Sequence, residues 1–240
     1  MNETTTLAFI LKTMPYKEKD RLVYAYTKEF GRLTFIAKGV NKMESKNAAA
    51  LQELSLVEMM IIPKKGISLL LKATIVDFYR HLKEDLQLQI YSSYINEYVY
   101  KQEEENVPDA QLFKLIEDSF QALQAGYPPQ VVYDLFNLAM LERSGTILEV
   151  NRCVRCQETK PIASISIVDG GFICVDCLNK KDPVYSKEVL KLFRHMQLLT
   201  IKNIDKLSFS EATLKEVTQI IETFVEEYSG IYFQTKKFMT

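Results

Sequence analysis

Along the first third of the chain, apolar residues come in short runs that alternate, or nearly alternate, with polar ones. Five such runs are Leu7 to Leu11, Leu22 to Thr27, Leu33 to Lys38, Leu54 to Ile62 and Ile67 to Ile75. Leu22, Tyr24 and Tyr26 alternate with Val23 and Ala25, and Leu33, Phe35 and Ala37 alternate with Thr34 and Ile36. A two-residue period places successive side chains on opposite faces of a strand. Met14-Pro15, Phe30-Gly31, Gly39 to Asn41 and Pro63 to Gly66 supply turn signals between the runs. Five strands in about 75 residues predict a small closed barrel, for which the OB-fold is the natural candidate. Asn47 to Glu53 are expected to form a helical turn between the third and fourth strands.

From Leu82 the period lengthens. Leu82, Leu86, Ile90, Tyr94 and Tyr98 recur every four residues, which predicts one helix ending near Glu103 to Glu105. Val107-Pro108-Asp109 restarts a second helix carrying Leu112, Leu115, Ile116, Ser119 and Leu123. Pro128-Pro129 opens a third, with Val132, Leu135, Phe136 and Ala139 inward. Val189, Leu192, Met196 and Leu199 mark a fourth, and Leu214, Val217, Ile221, Phe224 and Tyr228 a fifth. The expected fold class is α+β. Residues 1–80 form a barrel domain, and residues 81–240 a helical domain with a metal-binding insertion at about 149–182.

Composition adds little beyond class. Of 240 residues, 47% are hydrophobic and 25% charged, the balance of an ordinary globular protein. No apolar run approaches the roughly 18 residues of a membrane span. The first residues lack the basic and apolar regions of a secretory signal, so a cytoplasmic location is expected. The net charge of −1 conceals segregation. Residues 1–80 hold 13 Lys/Arg against 8 Asp/Glu, a net +5. Residues 81–150 hold 4 against 12, a net −8, and residues 151–240 hold 13 against 11, a net +2. A phosphate backbone would be drawn to the first third and repelled by the second.

The four cysteines, Cys153, Cys156, Cys174 and Cys177, form C-x2-C-x17-C-x2-C. Each C-x-x-C turn aims two sulfurs at one centre, and two such knuckles complete a tetrahedron. Ile165 to Val168 and Gly171 to Ile173 read as a hairpin between them, turning at Asp169-Gly170-Gly171. Two disulfides or a redox pair are the alternatives; a reducing compartment and the matched knuckles favour one zinc per chain. Four thiolates leave no open coordination position, so that zinc would be structural. No G-x-G-x-x-G, Walker loop, G-x-S-x-G or H-E-x-x-H is present, and neither His81 nor His195 sits in a catalytic pattern. No catalytic residue is therefore assigned.

The order of parts and several local motifs resemble the RecO family of bacterial recombination mediators. Pro15-Tyr16-Lys17-Glu18-Lys19-Asp20-Arg21-Leu22-Val23 is similar to that family's Y-x-E-x-D-R-hydrophobic signature. Thr27 to Leu33, then Ala37-Lys38-Gly39-Val40, then Leu51-Gln52, follow in family order. Gly145 to Glu149 leads into Cys153-Val154-Arg155-Cys156 as in zinc-bearing members, with Ile147 where they carry proline. The family's basic cluster after A-K-G is thinned here: Val40 to Lys46 lacks two Lys/Arg positions and adds Glu44. The barrel's grip on DNA is therefore expected to lean more on partner proteins.

The resemblance implies a non-enzymatic DNA-repair function. It implies binding to single- and double-stranded DNA, and strand annealing without ATP. It also implies partnership with RecR and with the C-terminal tail of the single-strand DNA-binding protein, and indirect loading of RecA, in the cytoplasm at the nucleoid. On an OB barrel, Lys12, Lys17, Lys19, Arg21, Arg32, Lys38, Lys42, Lys46, Lys64, Lys65 and Lys72 would supply the positive field. Arg21, Lys38, Lys42, Lys46 and Arg32 are the expected DNA contacts, with Tyr16, in a predicted loop, as a stacking residue. Tyr24 and Tyr26 are further candidates for stacking, with the barrel core as the favoured assignment, and Glu18 and Asp20 are assigned to loop geometry. An alternative is a zinc-ribbon adaptor whose knuckle makes the contacts, through Arg152, Arg155 and Lys160. A third reading, an enzyme on a helical scaffold, would require a deep pocket with perturbed acids.

Overall fold

A computed structural model describes residues 3–42, 44–45 and 47–239. The chain divides into two compact units, Met1–Gly126 with Phe233–Thr240, and Tyr127–Tyr232. Among the described residues no helix is long and apolar enough to cross a membrane.

The first unit is built on five strands: β1 (Thr4–Lys17), β2 (Asp20–Thr27), β3 (Gly31–Ala37), β4 (Leu56–Ile62) and β5 (Ile67–Asp77). They close in the order β1-β2-β3-β5-β4, with β4 pairing back to β1. Only the short β3–β5 pairing is parallel. The strand alternation reads directly onto this barrel. Ala8, Ile10, Val23, Ala25, Leu33, Phe35, Val57, Met59 and Ile61 fill its interior. The expected turn at Met14-Pro15 does not form: β1 runs through it, and Pro15 pairs with Arg21. The register shifts between Pro15 and Lys17, and a proline is tolerated at such an irregularity because no regular ladder donor is required there. Residues 47–54 form turns, with Leu51 N–H donating to Asn47 O at 3.0 Å. Buried Ala50 and Leu51 join the interior cluster.

Three α-helices pack in this unit among the described residues: α1 (Arg80–Glu84), α2 (Leu86–Gln102) and α3 (Ala110–Gln124). The single helix expected from Leu82 is split at Asp85, whose side chain caps α2 by accepting from Leu88 N–H at 2.9 Å. The split resets the buried face. Leu86 is 72% exposed, while Leu88, Tyr91, Tyr94, Ile95, Tyr98 and Val99 turn inward. Asp109 caps α3 in the same way. Phe9, on the outer side of β1, packs against Phe113 and Phe120 at 5.0 and 5.5 Å between ring centres. The C-terminal segment returns to this unit, where Phe233 lies 4.7 Å from Tyr94 and 4.9 Å from Tyr98.

The second unit contains α4 (Pro129–Arg143), the hairpin β6 (Ile162–Ser166) and β7 (Gly171–Cys174), α5 (Lys187–Leu198) and α6 (Glu211–Ser229). Phe193 of α5 stands between Phe172 of β7 and Phe224 of α6, at 6.1 and 5.9 Å. α4 is buried along most of its length and carries Asp134 inward with no exposed surface. Burial pushes that carboxyl well above its ordinary range, and Thr218 Oγ1 donates to it at 2.6 Å.

Candidate nucleic-acid interface and metal centre

The β1–β2 hairpin tip and the loop leaving β3 meet at one end of the barrel. Arg21 lies opposite Ala37 in the β2–β3 ladder, so Lys38 follows immediately beside it. Asp20 fixes the junction: its Oδ1 accepts from Gly39 N–H at 2.8 Å, and Asn41 N–H donates to Lys19 O at 3.2 Å. The Asp-Arg and Ala-Lys-Gly stretches, far apart in sequence, are thus one structural element, with Asp20 in the loop-fixing role expected of it. Lys17, Lys19, Lys38 and Lys42 are exposed there and Arg21 is partly so. None of them makes an ion pair among the described residues. Tyr16 belongs to β1 rather than a loop; the residue is 45% exposed, with the Lys17 ammonium 5.5 Å from the centre of its ring. Lys46 lies outside the described residues.

Other basic positions are placed elsewhere. Lys64 and Lys65 are exposed in the β4–β5 turn. That turn follows Ile61, the partner of Thr4, so it lies at the opposite end of β1 from the hairpin tip. Lys12 lies over the Tyr100 ring at 5.0 Å. Arg32 is engaged within the unit. Its Nε donates to Glu103 O at 2.9 Å, its Nη1 is 3.6 Å from Glu105 Oε1, and its guanidinium is 5.5 Å from the centre of Tyr100.

The segment after α2 explains this. Glu105 forms a bridge to Arg32 and accepts from Thr34 Oγ1 at 2.7 Å, while Asn106 N–H donates to Arg32 O at 3.1 Å. Gly31 permits the approach. Its φ is +67°, and a Cβ there would stand 2.1 Å from Val107 O. Tyr26 is fully buried, its hydroxyl accepting from Asp109 N–H at 3.1 Å, and Tyr24 meets Tyr100 edge-on at 5.0 Å. These two tyrosines therefore do not fill the barrel interior, which takes Val23 and Ala25 instead. They face outward, against the helical segment. The β2–β3 surface is a common oligonucleotide face of OB barrels. Here its Tyr26–Arg32 half is covered, while at the other half Lys38 is exposed and Arg21 half-buried.

Lys83 is a cation that periodicity did not single out. It shares with Arg21, Thr13 and Glu53 a groove of about 330 Å³. Its ammonium donates to Ser55 Oγ at 2.7 Å and lies over the Phe78 ring. Burial pulls its pKa down to about 8, against an opposing pull from Asp77. Its position near Arg21 depends on where the barrel meets α1, which leaves no local sequence signal.

In the second unit, the sulfurs of Cys153, Cys156, Cys174 and Cys177 all lie within 4.8 Å of one another, and all four thiols are free. Cys156 Sγ and Cys174 Sγ are 3.8 Å apart, far beyond a disulfide bond. A tetrahedral ion with metal–sulfur distances of about 2.3 Å requires sulfur–sulfur edges of about 3.8 Å, so the set fits a thiolate-bound metal. Cys153 and Cys174 are fully buried, and Cys156 and Cys177 are at the partly exposed edge. Burial works against ionising Cys153, but N–H groups of Cys156, Cys174 and Arg155, with the Cys174 thiol, outweigh it and bring its pKa to about 6. Contact with Cys174 and Cys156 pushes Cys177 up to about 12. Thiols crowded in this way ionise together only around a cation. Gly171 seats the hairpin, since a Cβ there would stand 2.3 Å from Glu149 O. Phe172 N–H then donates to that carbonyl at 2.9 Å.

The basic residues of the knuckles are paired. Arg152 Nε is 3.1 Å from Glu149 Oε2, and Lys160 Nζ is 2.7 Å from Glu158 Oε2 and 3.0 Å from Asp176 Oδ2. Arg155 meets Asp169 and Asp182 at 2.8 and 2.5 Å.

Comparison with known proteins agrees with this architecture. A family model described as "Recombination protein O N terminal" matches residues 1–79, and one described as "Recombination protein O C terminal" matches residues 83–237. A protein of Bacillus velezensis named DNA repair protein RecO is 31% identical over 233 residues, covering 96% of this chain and 91% of the relative. One of the same name from Bacillus subtilis is 31% identical over 236 residues, with the same coverage of each. Another from Listeria monocytogenes serotype 4b is 28% identical over 235 residues, again covering 96% and 91%.

Proposed function

Since the chain belongs to the RecO family and so has a role in DNA repair and recombination, we propose that it is a non-catalytic recombination mediator whose barrel holds DNA. The DNA-facing set is Arg21, Lys38 and Lys42, with Tyr16 as a stacking platform and Lys46 on the same loop. Arg32 serves as a tie between the barrel and the segment after α2. One observation carries this reading: the Asp20–Gly39 hydrogen bond holds Arg21 beside Lys38 at one end of the barrel, and Arg21, Lys38 and Lys42 make no ion pair among the described residues. Phosphates bind such a surface by counterion release, and aromatic faces hold unstacked bases without sequence preference.

Cys153, Cys156, Cys174 and Cys177 would hold one zinc ion, which supplies a structural cross-link. The family role extends to annealing complementary strands without ATP. It also extends to RecR, to the tail of the single-strand DNA-binding protein, and through them to RecA loading in the cytoplasm at the nucleoid. The zinc-ribbon reading is disfavoured because Arg152, Arg155 and Lys160 already face carboxylates.

Paired variants separate the two readings. K38E/K42E is expected to weaken binding of a labelled single strand at least tenfold at low salt, while R152Q/K160Q changes it less than twofold. The reverse pattern would transfer the interface to the knuckle.

A further inference from the structure

Arg155 stands inside the first knuckle, between Cys153 and Cys156, yet its side chain reaches three other segments. Nη1 donates to the carbonyl oxygen of Cys177, itself a metal-binding candidate, at 2.8 Å. Nη1 and Nη2 grip Asp182 from both sides, at 2.5 Å to Oδ2 and 2.9 Å to Oδ1. Nε and Nη2 both donate to Asp169 Oδ2, at 3.0 and 2.8 Å.

The two carboxylates are themselves anchored. Asp169 Oδ2 also accepts from Ser166 Oγ at 2.8 Å, which fixes it in the β6–β7 turn. Asp182 Oδ2 accepts from Asn179 N–H at 2.7 Å, which fixes the chain leaving the second knuckle. The Arg155 side chain is 25% exposed and that of Asp182 only 12%, so water screens this pair less than a surface pair. The Lys160–Asp176 bridge between the same knuckles is much more open, at 38% and 61%.

We infer that Arg155 is a positioning residue for the metal centre, a latch that holds the second knuckle in register with the first and so governs how firmly the metal is retained. The inference rests on the metal reading of the four cysteines. The ligands come in two pairs from segments separated by a hairpin. Apart from the exposed Lys160–Asp176 bridge and the Val154 N–H bond to Phe172 O, the metal would carry the entropy of bringing those pairs together. Arg155 carries part of it, because one planar fork bonds the backbone of a ligand residue, the hairpin turn and the segment beyond. A lysine has the charge but not the fork geometry, so it cannot make the five contacts at once. Groups that support metal ligands in this way typically alter metal affinity about 10–100-fold when removed.

The test is metal competition on the full-length chain. Zinc-loaded wild type, R155Q, R155K and D182N are titrated with a chromophoric chelator. The same proteins loaded with cobalt(II) report ligand geometry through their visible absorption. R155Q and D182N are expected to lose zinc about 10–100-fold more readily than wild type, with an altered cobalt band shape. R155K is expected to recover little of the loss. Retention within twofold of wild type in R155Q and D182N, with unchanged cobalt spectra, would overturn the latch. Wild type is measured first: if it takes up no metal, or shows no four-thiolate cobalt spectrum, the metal reading itself falls and the latch with it.

Discussion

Glu97 shows how one side chain secures a chain segment. Its carboxylate accepts from Gln234 N–H at 2.8 Å and from Thr235 N–H and Oγ1 at 2.9 and 2.7 Å, and Lys101 lies 2.6 Å away. Burial pushes the carboxyl up, but Lys101 and these donors outweigh it and hold its pKa at about 2. A depressed carboxyl stabilises fully above the unfolded value of about 4.3, and that stabilisation is lost as pH falls toward 2. Hydrogen exchange at the Gln234 and Thr235 amides should therefore quicken, relative to the rest of the unit, as pH drops below about 4. E97A should produce the same loosening at neutral pH; equal protection in E97A and wild type would refute the clamp. Gly31 offers a second test. G31A places a methyl against Val107 O in a left-handed conformation, and an unfolding titration in urea should record a loss of about 1–3 kcal/mol.

At the level of elements, what was local in sequence was readable. The barrel strands declared themselves because their pattern repeats every two residues, and the knuckles because two residues separate the cysteines of each pair. What depended on distant contacts was not readable. The run through Met14-Pro15 looks like a turn, and only pairing with β2 makes it strand. Nothing near Tyr26 or Arg32 announces that residues 103–109 will lie against them, because those partners are more than 70 residues away. The four-residue period runs through Asp85 without a break, and its capping role exists only once α2 starts beside it. The hairpin between the knuckles depends most on its ligands. It has two strands, of five and four residues, and an isolated two-stranded hairpin is marginal in water. Chelation of the metal should therefore sharply lower exchange protection of the Ile165, Phe172 and Ile173 amides, leaving the hairpin only its packing on Phe193 and its bond to Glu149 O. Protection that persists in metal-free protein would show that packing alone maintains the hairpin.

For the molecule as a whole, charge distribution matters more than net charge. A net of −1 would not suggest a DNA-binding protein, yet the first 80 residues carry +5 and the next 70 carry −8. Part of the acidic stretch is used internally: the Glu105 carboxylate faces Arg32 and Thr34, while the backbones of Glu103 and Asp109 engage Arg32 and Tyr26. The cations at the hairpin end of the barrel make no ion pair among the described residues and lie together, whereas Lys64 and Lys65 are exposed at its opposite end. The most direct test is the salt dependence of single-strand binding by zinc-loaded protein, followed by anisotropy of a labelled oligonucleotide. Each phosphate neutralised contributes about 0.7 to the slope of log affinity against log salt. Contact with about four phosphates gives a slope near −3, and K38E/K42E should flatten it by about 1.4. No binding at low salt, or a slope unchanged by K38E/K42E, would contradict the barrel-end interface.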